Sequence, residues 1–365
     1  MGKTLVYIVL LAVLGTGVYY FLFRENNGLY AEKEANFTIR DTNAVGKIFL
    51  VENDGQSVLL ERGADENWTL NKKYPAMRIQ MLNILTCLRT QTAMIPASEK
   101  EHDRVVKLLA GLGTKVEVYD RQGKKMRSFF VAGQGPNYHG SYMILENGSQ
   151  PYLVEIPNFE GYLTPVYTTD TAEWRSRLIF RVPAAELQSV SITYPSEPLN
   201  SFTLDNSGSE PKVLLAPELQ ASFTELNKVR VKQYMDFFTE VHAEGYLNGA
   251  AGMDTIIRDT RLRCKLSVTS KKGTTKALDI YWKNLTDHGR DLSDQTSTDP
   301  SRRPTDVERY YAVDQAAHDT ILIQALSFEK MFRFGYEFYQ KEGDSRMQSN
   351  PSPVNDKRAP INYVK

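Results

Sequence analysis

Five histidines and two cysteines carry most of the nucleophilic and metal-binding chemistry available to this 365-residue chain. His102, His139, His242, His288 and His318 are dispersed. None has the His-Glu-x-x-His spacing that sets two imidazoles on one helical face around zinc. His242-Ala243-Glu244 has half of a zinc deaminase motif but lacks the paired cysteines that complete it. Cys87 and Cys264 form no Cys-x-x-Cys pair, so neither a zinc knuckle nor a thioredoxin-like centre is supported. Both read as buried free thiols. His139, beside Tyr138 in a glycine-rich bend, could orient a ligand or act as a base. No partnered nucleophile is identifiable, and a polar loop histidine is the plainer reading. Gly133-Gln134-Gly135 lacks the third glycine of a dinucleotide fingerprint, and Pro136 interrupts the required strand-loop-helix order. There is no nucleophile elbow or phosphate-binding loop. Asp287, Asp294 and Asp299 do not have calcium-loop spacing and read as a solvated acidic loop. The sequence therefore assigns no catalytic, cofactor-binding or metal-binding residue.

Two groups remain as candidates for ligand or partner contact. The first is aromatic: Tyr138, Tyr142 and Tyr162, with His139 among them and Tyr167 nearby. Such rings could hold a glycan or peptide. The second is basic: Arg258, Arg261 and Arg263, followed by Lys265, Lys271, Lys272 and Lys276. It could meet lipid head groups, a polyanion or a partner protein. Asp254, Asp259 and Asp279 are interspersed, and lysines also block unwanted pairing along hairpin edges. Lys plus Arg equals Asp plus Glu at 44 each, so no net charge draws the chain to nucleic acid.

These residues need a scaffold, and the sequence reads as the same scaffold twice. Lys115 to Tyr119, a Gly123 turn, and Met126 to Val131 form a hairpin pattern. Lys265 to Val268, a Gly273 turn, and Ala277 to Trp282 repeat it. Each hairpin follows a helical stretch and precedes a tyrosine-rich strand, at Tyr142 and at Tyr310. Repetition of a whole order points to a module that binds or scaffolds. In the first module, strands are expected at 47–52, 57–62 and 68–70, with Asp54-Gly55 as a tight turn. Pro75 is expected in the first turn of a helix carrying Met77, Met81, Ile84, Leu85 and Leu88. Ser98 and Glu101 fit a capping box for a second helix, ended by Gly111 or Gly113. In the second module, Val231, Tyr234, Phe238 and Val241 mark a helix, and Thr320 to Leu326 fits a strand or a helix. The fold class is α+β, two related modules, each a mainly antiparallel sheet with packed helices.

The expected divisions are a transmembrane anchor at 1–23, a polar linker at 24–45 and a first module at 46–165. A connector at 166–187, a second module at 188–340 and a disordered tail at 341–365 follow. Residues 4–23 are apolar enough to span a bilayer, needing roughly 20 helical residues for roughly 30 Å. Tyr19, Tyr20, Phe21 and Phe23 then place rings at an interface. A cleaved signal peptide, cut near Gly15 or Gly17, is the competing reading. The polar insertion between Asn284 and Val307 has no counterpart in the first module and reads as a mobile loop.

The string Phe130-Val131-Ala132-Gly133-Gln134-Gly135-Pro136, Gly140-Ser141-Tyr142-Met143, Pro151 to Val154 and Ile156 to Leu163 precedes Trp174-Arg175-Ser176-Arg177. With Trp68 and the 77–88 helix, it resembles the domain-of-unknown-function 4340 family, especially its membrane-anchored Bacteroidota members. The resemblance covers most of 46–205 and, less closely, the second module. The family has no established activity or catalytic residues to carry over. It implies an accessory envelope role, by association with transport or gliding-type assemblies. The expected function is a non-enzymatic, single-pass scaffold or accessory subunit of the inner membrane, with its bulk extracytoplasmic. Its expected contacts are the bilayer, through residues 4–23, and a membrane-protein partner. A glycan- or peptide-binding module is the alternative.

Overall fold

The computed structural model describes residues 35–285 and 305–339. The expected anchor, the first part of the linker, most of the polar insertion and the 341–365 tail lie outside the described residues. Among the described residues no helix is long and apolar enough to cross a membrane. The chain divides into two compact units, Met1–Ser176 and Arg177–Lys365.

In the first unit, β1 (Val45–Val51), β2 (Ser57–Arg62), β3 (Trp68–Leu70) and β4 (Tyr74–Pro75) precede helix α1 (Arg78–Thr90). Strand β5 (Thr92–Pro96) and helix α2 (Glu99–Leu112) lead to β6 (Thr114–Asp120), β7 (Lys125–Ala132), β8 (Ser141–Leu145) and β9 (Tyr152–Glu155). They form one antiparallel sheet in the order β4-β3-β2-β1-β6-β7-β8-β9-β5. Alternation along the strands selects its two faces. Ile48, Leu50, Val116, Val118, Phe129 and Val131 are buried together with Met81, Ile84 and Leu88 of α1. Ala132, Tyr142 and Leu153 point the other way and pack with Val105 and Leu109 of α2.

Several local expectations need correction. Pro75 pairs with Thr69 in β4 instead of entering α1, as an edge position needs no N–H there. Ser98 is the N-cap of α2 but its side chain makes no capping bond, and Glu101 instead accepts from Arg104 at 2.8 Å. Gly113 ends α2 with φ −81°, and a Cβ there would lie 2.1 Å from the Leu109 carbonyl oxygen. Close approach, not a left-handed backbone, selects the glycine.

The polar-linker reading also fails near its end. Phe37 and Ile39 are fully or almost fully buried in the α1-side core. The Gln91 amide donates to the Phe37 carbonyl at 2.7 Å, and the Thr38 hydroxyl donates to the Gln91 carbonyl at 2.7 Å. The Tyr167 hydroxyl donates to Gln91 Oε1 at 2.5 Å, beside Cys87. The segment carries few apolar residues, but two of them fill core positions. Residues 166–187 are likewise absorbed: Tyr167 and Trp174 belong to this core, whereas Ile179 and Phe180 belong to that of the second unit.

The second unit opens with β10 (Leu178–Phe180), β11 (Leu187–Thr193), β12 (Phe202–Asp205) and β13 (Lys212–Leu215). Helix α3 (Lys228–Asp236), β14 (Val241–His242), β15 (Gly245–Tyr246) and helix α4 (Met253–Asp259) follow. Then come β16 (Leu262–Ser270), β17 (Thr275–Asn284), β18 (Thr305–Asp314) and β19 (Asp319–Gln324), which settles the ambiguous 320–326 segment as strand before a short helix at Ala325–Phe328. Helix α3 stops before Val241, which pairs with Phe180 between β14 and β10. The large sheet runs β13-β12-β11-β16-β17-β18-β19-β15.

Apart from the two-residue β4, this is the strand order of the first sheet. The register agrees as well. The β1–β6 ladder shifts between Val45 and Lys47, and the β11–β16 ladder shifts between Leu187 and Ser189. Beside each shift a backbone bond reaches the hairpin turn, Arg121 N to Ala44 O at 3.1 Å and Lys271 N to Glu186 O at 2.7 Å. Gly123 and Gly273 occupy the two turns with φ 83° and 82°. Buried positions correspond through the pairing: Ile48 with Val190, Leu50 with Ile192, Leu60 with Leu204, Val116 with Leu266 and Val131 with Ile280.

If the segment before β1 is part of the core, Phe37→Ala should destabilise the full-length protein by about 3–5 kcal/mol, lowering its first thermal transition by roughly 10 °C. Calorimetry or urea denaturation measures this. A loss below about 0.5 kcal/mol would make the segment peripheral.

Candidate functional site

The connection from β7 to β8 is the glycine-rich bend. Gly133 and Gly140 bound it, both with φ 65°. Between them Asn137 and Tyr138 also adopt left-handed backbone, at φ 56° and 64°. For a tyrosine this conformation is costly and persists only where the surroundings enforce it. A second loop after β9 supplies that enforcement. Gly140 N donates to the Gly161 carbonyl at 2.8 Å, and the Thr164 hydroxyl donates to the Gly133 carbonyl at 2.8 Å. The buried Ser141 hydroxyl accepts from Leu163 N at 2.9 Å and Thr164 N at 3.1 Å. A Cβ on Gly135 would lie 2.0 Å from the His139 carbonyl oxygen, so the bend closes only on glycine.

This double loop displays Tyr138, 71% exposed, and Phe159, 50% exposed. His139 is exposed and Tyr162 half-buried. Tyr142 is not part of the surface. Its pairing with Ala132 turns it beneath α2, where it is buried with the Arg104 guanidinium 5.9 Å from its ring. Tyr167 is fully buried in the opposite core, and burial raises its phenol pKa well above the usual range.

The basic group is largely neutralised within the second unit. Arg263 lies 4.5 Å from the Trp282 ring centre, 4.6 Å from Tyr310 and 4.5 Å from Phe332. It donates to the Tyr310 hydroxyl, which in turn donates to Glu329 at 2.8 Å. Burial, opposed by the nearby Arg263 charge, pushes the Tyr310 phenol up to about 12. Arg261 is exposed, with its guanidinium 5.4 Å from the Trp282 ring centre. Arg258 pairs with Asp259 at 3.2 Å, Lys265 with Asp279 at 3.8 Å, Lys272 with Glu186 at 2.9 Å and Lys276 with the buried Asp314 at 2.5 Å. Arg263 is therefore a packing cation inside an aromatic cage, and four of the other six cations of the run have a carboxylate partner.

An ion network that the sequence reading missed lies on the α2 face of the first sheet. Lys115 and Lys125 lie 3.0 and 2.9 Å from Glu117 Oε1, while the Tyr119 hydroxyl donates to Glu117 Oε2 at 2.7 Å. Both lysines also reach Glu146, at 2.6 and 3.2 Å. Burial opposes ionisation of Glu117, but these donors outweigh it and hold its pKa down to about 2. Alternation at 115, 117 and 119 was its sequence signal; the cross-strand partners were not readable. An open cleft of about 420 Å³ lies at the adjoining strand ends, lined by Lys125, Arg127 and Glu146 among others.

His102 and His242 are separately engaged. His102 Nε2 lies 3.1 Å from the Ser149 carbonyl, and His242 Nε2 lies 3.0 Å from Glu240. His318 is exposed, and His288 lies outside the described residues. Among the described residues no three His, Cys, Asp or Glu side chains gather to hold a metal. Cys87 and Cys264 are buried and free, and burial pushes their thiols up to about 11 and about 12. Phe159 is half exposed, which only the structure shows. Compared with known proteins, the chain matches no family model, no curated protein and no solved structure.

Because folding depresses the Glu117 pKa, its contribution to stability is complete above about pH 4.5 and declines as pH falls toward 2. Glu117→Gln should cost about 1–2 kcal/mol at pH 7 and little near pH 2. Denaturation of both proteins across this range checks the convergence.

Proposed function

We propose that this chain is a non-enzymatic, membrane-anchored scaffold or accessory subunit whose two related α+β modules arose by duplication of one ancestral module. The observation that carries this reading is the shared strand order with its matched register break. Duplication of a packed unit enlarges surface and adds connections while leaving each core self-sufficient. The resemblance to the domain-of-unknown-function 4340 family fits the same role. Residues 4–23 hold the chain in the inner membrane as a single pass, with the bulk extracytoplasmic. The partner is a membrane protein, contacted through the insertion between Asn284 and Val307 and the tail from residue 341.

Two measurements test this. Deleting residues 1–24 should move the protein from the membrane to the soluble fraction, and protease added to spheroplasts should digest the bulk of the intact chain. Full protection would reverse the orientation. Affinity purification of the full chain from membranes, with mass spectrometry, should recover a membrane protein in near-stoichiometric amount. Removing 286–304 or the tail should reduce that recovery at least tenfold; unchanged recovery would remove those segments as the contact.

A further inference from the structure

The double loop in the first unit has a chemistry that the scaffold role does not use. Residues 133–140 and 157–162 contain one charged side chain, Glu160. Besides the exposed rings of Tyr138 and Phe159 they carry the exposed amide residues Gln134, Asn137 and Asn158 and the exposed imidazole of His139, on two loops joined by the Gly140–Gly161 hydrogen bond. An amide offers both donor and acceptor, as vicinal hydroxyls require, and an aromatic face can stack on the C–H face of a sugar ring. A polyanion or anionic lipid would call for cations, which these stretches lack. The rings also stand on backbone already fixed by the Gly140–Gly161 and Thr164–Gly133 hydrogen bonds, so little ordering would be required on binding.

We infer that this double loop is a contact site for a neutral glycan chain, with Tyr138 and Phe159 as its stacking rings. The site lies on the β7–β8 connection and the loop after β9, and its operation is independent of the segments assigned to the protein partner. The glycan could be the N-acetylated backbone of a cell wall or a plain polysaccharide, which share the ring and hydroxyl chemistry.

Full-length protein in detergent is the material for the test. Purified peptidoglycan sacculi in a sedimentation assay, and chitohexaose and maltohexaose in calorimetric titrations, are the probes. Saturable binding to at least one is expected. Binding to sacculi and chitohexaose alone identifies an N-acetylated chain, and binding to maltohexaose alone a plain glucan. Tyr138→Gly and Phe159→Ala should each weaken binding at least tenfold, whereas Tyr138→Phe should stay within about threefold of the parent. Glycine accepts the left-handed backbone at 138 freely, so Tyr138→Gly should melt no lower than the parent, separating loss of the ring from loss of the fold. No saturable binding to any probe, or ring-deleted variants that bind like the parent, would overturn the site. Neither result bears on co-purification of a membrane protein.

Discussion

The antiparallel ladder between β1 and β6, with its single shift between Val45 and Lys47, is the constraint on which the first unit depends. A slip of one residue would turn Ile48, Leu50, Val116 and Val118 away from α1 and bring charged neighbours inward. The shift lets Val45 enter the core while Ile48 and Leu50 keep their alternation. The same adjustment in the β11–β16 ladder places Leu187, Val190 and Ile192. Most of the corresponding core residues differ in identity, but each pair preserves apolar burial at one register position. A close-packed interior of this kind is specified by apolar patterning and volume more than by the identity of each side chain.

Once register is fixed, side chains with suggestive types become structural. Tyr142 faces α2 because Ala132 opposite it does. Arg263 meets Trp282 and Tyr310 because neighbouring strands bring their rings to one face. A guanidinium held against three rings packs its flat faces on them, and much of its carbon and nitrogen surface leaves water. Glu117 shows the converse: its carboxylate stays ionised in partial burial because two ammonium groups and a phenol converge on it.

Much of the scaffold was legible because it obeys local rules. Alternation marked the strands, Gly123 and Gly273 marked the hairpin turns, and the apolar stripe of Met81, Ile84 and Leu88 marked α1. Failures arose where a tertiary neighbour decided the outcome. Phe37 and Ile39 stand in a polar stretch, and only the fold reveals the core positions that receive them. Thr92–Pro96 is short, carries Pro96 and has mostly exposed residues, so periodicity gave no sign of the strand that pairs with β9. At the double loop the glycines and His139 were readable. The left-handed Tyr138 and the exposed Phe159 follow from bonds to a segment more than twenty residues away, which spacing alone does not encode.

The two units differ most at one topological position. In the first, β7 connects to β8 through the short, tightly bonded bend that displays Tyr138. In the second, the corresponding strands, β17 and β18, are joined by the long polar insertion. The strands flanking that insertion are clamped at its base, where Asn284 pairs with Thr305 and Lys283 lies 3.2 Å from Asp306 with both side chains largely buried. Such a buried pair adds little net stability against an apolar alternative, yet losing either partner would strand a charge. Its effect is to hold the two strand ends in register however long the intervening chain becomes. Loop length adds only slowly to closure entropy, so sequence can change freely beyond a fixed stem. At this position the two units differ in the length of chain between corresponding strands, and a fixed stem lets that length change without disturbing the ladder beneath it.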